Sequence, residues 1–142
     1  MRLNPKKNYD YAALKKSACN AIDDAAERER LQYSTSGSTM ASIYQYKLEE
    51  ATKFMALSED DKNNATQSEF PFLYAELSSS GNTLNAAAET ILAANAIWKN
   101  HMARIEGVRR NTKTAIMMSP DDKSVIDQLV RTVNFNVQVF YE

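Results

Sequence analysis

Between Thr83 and Met118 the chain has no proline and a single glycine, Gly107, and its apolar residues recur at helical spacing. Leu84, Ala87 or Ala88, Ile91, Ala94, Trp98, Met102 and Ile105 follow one another at three- and four-residue steps, which lays one apolar stripe along a long helix. Thr83 offers a hydroxyl to cap the first turn. An interior glycine costs roughly 1 kcal/mol, little against so long a face, so the helix is expected to continue through Gly107 to about Met118. Such a helix must bury its stripe against other helices, which commits the chain to a mainly α fold. The stripe puts Ile91, Trp98 and Ile105 in the core, where truncating Trp98 to alanine would cost about 3–5 kcal/mol.

Shorter helices are expected around it. From Tyr11 to Leu31, Leu14, Ala18, Ile22, Ala25 and Glu29 form a face of mostly small residues, with Lys15, Lys16, Asp23, Glu27 and Arg30 on the other side. The Tyr33–Ser38 stretch is a turn, after which Ser38 or Thr39 caps a helix presenting Tyr44, Leu48, Ala51 and Met55. Ser58 to Glu69 is nearly all polar and is expected as a surface loop with one helical turn at Ser58 and Glu59. Pro71 suits the first position of a short helix, with the aromatics around it plugging an end of the core and Ser78 to Gly81 ending it. Ser119-Pro120-Asp121-Asp122 opens a last helix containing Val125, Ile126, Leu129 and Val130. Residues 1–132 are therefore expected to form a helical bundle of about four to five helices, one of them long and central.

The tail changes period. From Val133 to Glu142 the odd positions are apolar and most even ones polar, the alternation of a β-strand. Val133, Phe135, Val137, Val139 and Tyr141 share its apolar face and are the candidate partner-binding residues. A lone strand leaves its backbone groups unpaired, so 133–142 is expected to be a C-terminal attachment strand that pairs with another copy or another protein. The alternatives are a tail packed on its own bundle or paired with residues 1–8.

The rest of the chain offers little to a chemist. No glycine-rich phosphate loop, no Cys or His pair at metal spacing and no Gly-x-Ser-x-Gly elbow occurs, so neither enzymatic activity nor a metal or cofactor is expected. The acidic doublets Asp23-Asp24, Glu49-Glu50 and Asp121-Asp122, and the triplet Glu59-Asp60-Asp61, point neighbouring carboxylates about a third of a turn apart and do not converge. His101, beside the long stripe, reads as structural, and Cys19 as a small core filler. A single cysteine allows no intramolecular disulfide, which fits a reducing cytoplasm.

The net charge of -1 gives no global attraction to nucleic acid or anionic lipid. Arg104, Arg109, Arg110 and Lys113 make one basic cluster near the end of the long helix, expected to favour that helix's C-terminus more than DNA. The apolar region from Leu84 to Met102 is broken by Asn85, Glu89, Asn95, Lys99, Asn100 and His101, so no membrane span is expected.

Ile22-Asp23-Asp24-Ala25-Ala26-Glu27-Arg28-Glu29-Arg30, followed by Tyr33, Thr35 and Gly37, resembles the opening of an Ala-rich helical domain of tailed-phage and prophage proteins. The resemblance continues in order through Tyr44 or Tyr46, Lys47, Glu50, Ala51 and Phe54, then Pro71, Leu73, Ala75 and Glu76, then Gly81, Thr83, Ala87, Ala88, Ile91, Leu92 and Trp98. It closes on Ile105-Glu106, Arg109, Lys113, Ala115 and Ile116, and so spans about residues 20–118. The chain departs from it in being less alanine-rich and in its terminal strand. Domains of this kind accompany tail-fibre and tail-fibre-assembly proteins. The resemblance thus implies a virion component, in a homo-oligomer or symmetric assembly with other tail or neck proteins, made in the host cytoplasm. A transient fibre chaperone and a small DNA-binding regulator are the rival expectations.

Overall fold

The structure, a computed structural model, describes residues 8–34, 39–79 and 81–137. Six helices occur among the described residues: α1 (Tyr11–Leu31), α2 (Met40–Met55), α3 (Glu59–Asn63), α4 (Pro71–Glu76), α5 (Leu84–Met118) and α6 (Lys123–Arg131). The fold is mainly α, and the long helix does run through Gly107 to Met118. The chain divides into two compact units, one of Met1–Ser34 with His101–Glu142 and one of Thr35–Asn100, so α5 lends its two halves to different cores.

In the first unit, Asp10 caps α1 by accepting the Ala13 N–H at 3.1 Å. The buried face of α1 is Ala18, Cys19, Ile22 and Ala26. Ala18, Cys19 and Ile22 pack with Ile116 of α5 and Ile126 of α6. Ala26 packs with Ile105, Val108 and Phe135. Lys15 reaches from α1 past the end of α5, donating to the Ser119 carbonyl at 2.7 Å and lying 3.4 Å from Asp121. A cation there meets the carbonyls that a helix end leaves unpaired. Asp122 then caps α6 through the Ser124 N–H at 2.9 Å.

The second unit is built on Ala51 and Phe54 of α2, Phe70, Leu73 of α4, and Ala87 and Ala88 of α5, with the Phe54 and Phe70 rings edge to face. Phe70, at the N-cap of α4, offers no side-chain cap. Glu50 of α2 takes that role from a distance, accepting the N–H groups of Phe72 at 2.8 Å and Leu73 at 3.1 Å. Pro71 has no N–H to satisfy, so the first turn of α4 is fully paired. Gly81 at φ 93° and Asn82 at φ 65° turn the chain in the left-handed region, with the Asn82 N–H on the Leu77 carbonyl at 2.9 Å. Thr83 then caps α5 by accepting the Ala86 N–H at 3.0 Å.

Two expectations are corrected. No strand occurs in the described part of the tail, residues 133–137, where the chain forms a turn instead. The Asn134 side chain accepts the Asn136 N–H at 3.0 Å, an Asx turn that reverses the backbone where a strand would have to stay extended. Phe135 is buried in its own unit, and Val133 packs there as well. The second correction concerns the α5 stripe: Ile105 is fully buried and Ile91 half-buried, but Trp98 is 42% exposed. Trp98 lies in the stretch Ala93–Asn100, which packs into none of the three core clusters.

Alanine at zero exposure leaves no room for a larger side chain, so Ala88→Leu is expected to destabilise the protein by about 1–3 kcal/mol through overpacking. The exposed Ala93→Leu on the same helix should change stability by less than about 0.5 kcal/mol. Urea unfolding followed by circular dichroism measures both.

Candidate functional site

Of the basic cluster predicted on α5, Arg109 and Lys113 are brought together with α1 rather than with a helix terminus, while Arg110 stays exposed, 3.9 Å from Glu106 of its own helix. Arg109 donates two N–H groups to Glu106, both at 2.8 Å, and a third to Asp23 of α1 at 2.7 Å. Lys113, one turn on, holds both oxygens of Asp23 at 3.0 and 2.9 Å, and Arg30 of α1 donates to Glu106 at 3.3 Å. Glu106 and Arg109 face each other because residues three apart share a helix face. Ile22, beside Asp23, is fully buried, so the pairing and the apolar contact set the register of α1 on α5 together.

Charge in the network moves each carboxyl. The Lys113 hydrogen bonds, then those of Arg109, hold Asp23 below the usual carboxylate range, and Arg109 does the same for Glu106. Arg109 is correspondingly pushed higher. Glu50 goes the other way, because burial outweighs the two backbone N–H groups it accepts.

The other sequence candidates have local tasks. Asp121 and Asp122 serve Lys15 and the α6 cap, and Glu59, Asp60 and Asp61 sit in the first turn of α3, where negative charge is favoured. Cys19 is buried with its thiol on the Lys113 carbonyl at 3.8 Å, and burial pushes that thiol up and keeps it protonated. Among the described residues no group of three or more His, Cys, Asp or Glu is placed to hold a metal ion. No helix among them is long and apolar enough to cross a membrane. A surface groove of about 650 Å³ between α1 and α6 is lined by Leu14, Ala18, Ile126 and Val130, with Lys123 and Asp127 among its polar residues.

Of the partner-binding residues predicted in the tail, Phe135 is buried in the first unit, Val133 is half-buried and Val137 is half exposed. Val139 and Tyr141 lie outside the described residues. Exposed apolar side chains also lie outside the tail, among them Leu31, Tyr44, Tyr46, Met117 and Met118. On α5, Ile97 is 60% and Trp98 42% exposed, beside the exposed Ala93, Ala94 and Ala96. Neither a family model, nor a curated protein, nor a solved structure matches the chain.

Sequence reasoning missed the contact among Tyr33, His101, Arg104 and Phe135. Only the three-residue spacing of His101 and Arg104 on one helix could have hinted at it, because Tyr33 and Phe135 reach it from distant parts of the chain.

The carboxyls predict opposite pH effects. Asp23 and Glu106 are lowered, so they contribute stability that is present above about pH 4 and lost as pH falls through their folded values. Glu50 is raised, so its ionised form is penalised, and acidification from neutral pH relieves that penalty. Urea unfolding from neutral to acid pH should therefore show Asp23→Asn flattening the acid loss. Glu50→Gln, whose amide oxygen still accepts the α4 N–H groups, should remove the opposing gain.

Proposed function

We propose that the protein is a non-enzymatic structural component of a tailed-phage particle, a tail, tail-fibre or neck-associated protein that acts by docking onto other virion proteins. The observation that carries this reading is the uncovered apolar stretch of α5. Tryptophan is the residue most typical of interface anchors, and Trp98 and Ile97 stand in water among alanines small enough to let another protein surface come close. The ordered resemblance from Ile22 to Ile116 supplies the kind of particle. A role in a homo-oligomer or symmetric assembly, in the virion and earlier in the host cytoplasm, belongs to the same proposal.

The rival readings use the molecule differently. A transient fibre chaperone would dock through the same face but leave before the particle is finished. A DNA-binding regulator would need free cations, and in the α5 cluster Arg109 and Lys113 are engaged by Glu106 and Asp23. Its mark would be DNA binding that weakens steeply with salt.

The docking role is tested by assembling particles with the wild-type chain and with Ile97→Ser/Trp98→Ser. The variant should keep its helical circular dichroism, because Ile97 is 60% and Trp98 42% exposed and neither belongs to a core cluster. Mass spectrometry of purified particles should find the wild type in stoichiometric amount and the variant absent. Wild-type protein bound to fibres but missing from finished particles would establish the chaperone. Normal incorporation of the variant would overturn docking through this face.

A further inference from the structure

Arg104 is a partly buried cation that, among the described residues, has no carboxylate partner. Its guanidinium instead meets a carbonyl, an imidazole nitrogen and a hydroxyl. Nε donates to the Phe135 carbonyl at 2.8 Å, Nη1 to His101 Nδ1 at 2.8 Å, and Nη2 to the Tyr33 hydroxyl at 3.2 Å. The Tyr33 ring stacks on the His101 imidazole, with centroids 4.0 Å apart and planes 16° from parallel. The guanidinium carbon lies 5.8 Å from the Tyr33 ring centre.

A guanidinium stays charged and can only donate, so the imidazole nitrogen facing it must offer a lone pair. His101 is then neutral, with its proton on Nε2. Protonation would set one N–H against another and bring a second positive charge beside the first. Among the described residues, no carboxylate is hydrogen-bonded or ion-paired to either member of the pair. Tyr33 closes it from the end of α1, Arg104 from α5 itself, and the segment Thr132–Val137 has no ionisable side chain. Nearby on α1, Arg30 is engaged with Glu27 and Glu106, and Glu29 accepts from Gln32.

We infer that His101, Arg104 and Tyr33 form a proton-sensitive latch on the C-terminal segment. With His101 neutral, Arg104 fixes the Phe135 carbonyl and the Phe135 ring stays among Ala26, Ile105 and Val108. With His101 protonated, the Arg104 contact breaks, the carbonyl loses its donor and the segment around Phe135 comes loose. The released state carries the extra proton, so acid favours release. What the latch exposes is an aromatic side chain followed by the half-exposed Val137, a short apolar segment available to a protein partner. The latch stands on the cluster's own geometry and does not depend on a virion role.

Hydrogen exchange with mass spectrometry on the full chain tests it, at about pH 7.5 and about pH 5.5, on either side of the ordinary imidazole range, with times scaled for intrinsic exchange. The peptide spanning residues 132–137 should lose protection severalfold at the lower pH while the buried peptides of α1 and α6 keep theirs. His101→Gln, whose amide oxygen accepts from Arg104 at any pH, should hold the segment protected under both conditions. Arg104→Met should leave it unprotected under both. Equal protection of the wild type at the two pH values, or a pH response that survives in His101→Gln, would overturn the latch. Should His101→Gln fail to fold by circular dichroism, NMR of the wild type decides. The His101 ring and the Phe135 amide must then titrate with one midpoint, and separate midpoints would sink the idea.

Discussion

Ala26 in one unit and Ala51, Ala87 and Ala88 in the other have no exposed surface, and the remaining contacts are arranged around these methyl groups. Helix axes usually pack about 8–10 Å apart, and small side chains bring them to the near end of that range. This packing sets larger residues beside the small ones: Ile105 next to Ala26 in the first unit, Phe54, Phe70 and Leu73 next to the alanines of the second. It also brings polar side chains of neighbouring segments within hydrogen-bonding reach. Glu50 can cap α4 only because α2 and α4 lie close enough for a carboxylate to span the gap.

The ion network of the first unit has the same dependence. Asp23 follows the buried Ile22 in sequence, and Glu106 follows the buried Ile105. Each carboxylate therefore leaves its helix next to a residue fixed in the core, which places it where Arg109 and Lys113 can hold it. Exposed ion pairs contribute little, but here the geometry is multivalent and the helices are already positioned by apolar burial.

The proposed docking face is what this packing leaves over. The two cores draw on different ends of α5, and the residues between their contributions, Ala93 to Asn100, keep an apolar character that neither core uses. At the other extreme Phe135, part of a segment with the alternation of an edge strand, is drawn into a core and held by Arg104. The uncovered surface and the latched segment thus trade the roles that the apolar pattern alone would assign them.

Much of the local structure was legible in the sequence. Thr83, Ser58 and Asp122 sit before apolar or helical runs, and their side chains cap helices in the structure. Pro71 stands at a helix start, Gly81 at a turn with positive φ, and the long helix passes through Gly107. These are determined by hydrogen bonds and torsions within a few residues, which the sequence by itself specifies. It could not say which apolar residues find a partner. Trp98 has the same periodic position as Ile105, yet one is exposed and the other buried, because burial depends on whether a second helix is present at that height along α5. Nor could it foresee Phe135 in a core: an Asx turn at Asn134 and a distant arginine overrode an alternation that has meaning only when a neighbouring strand is there to pair with.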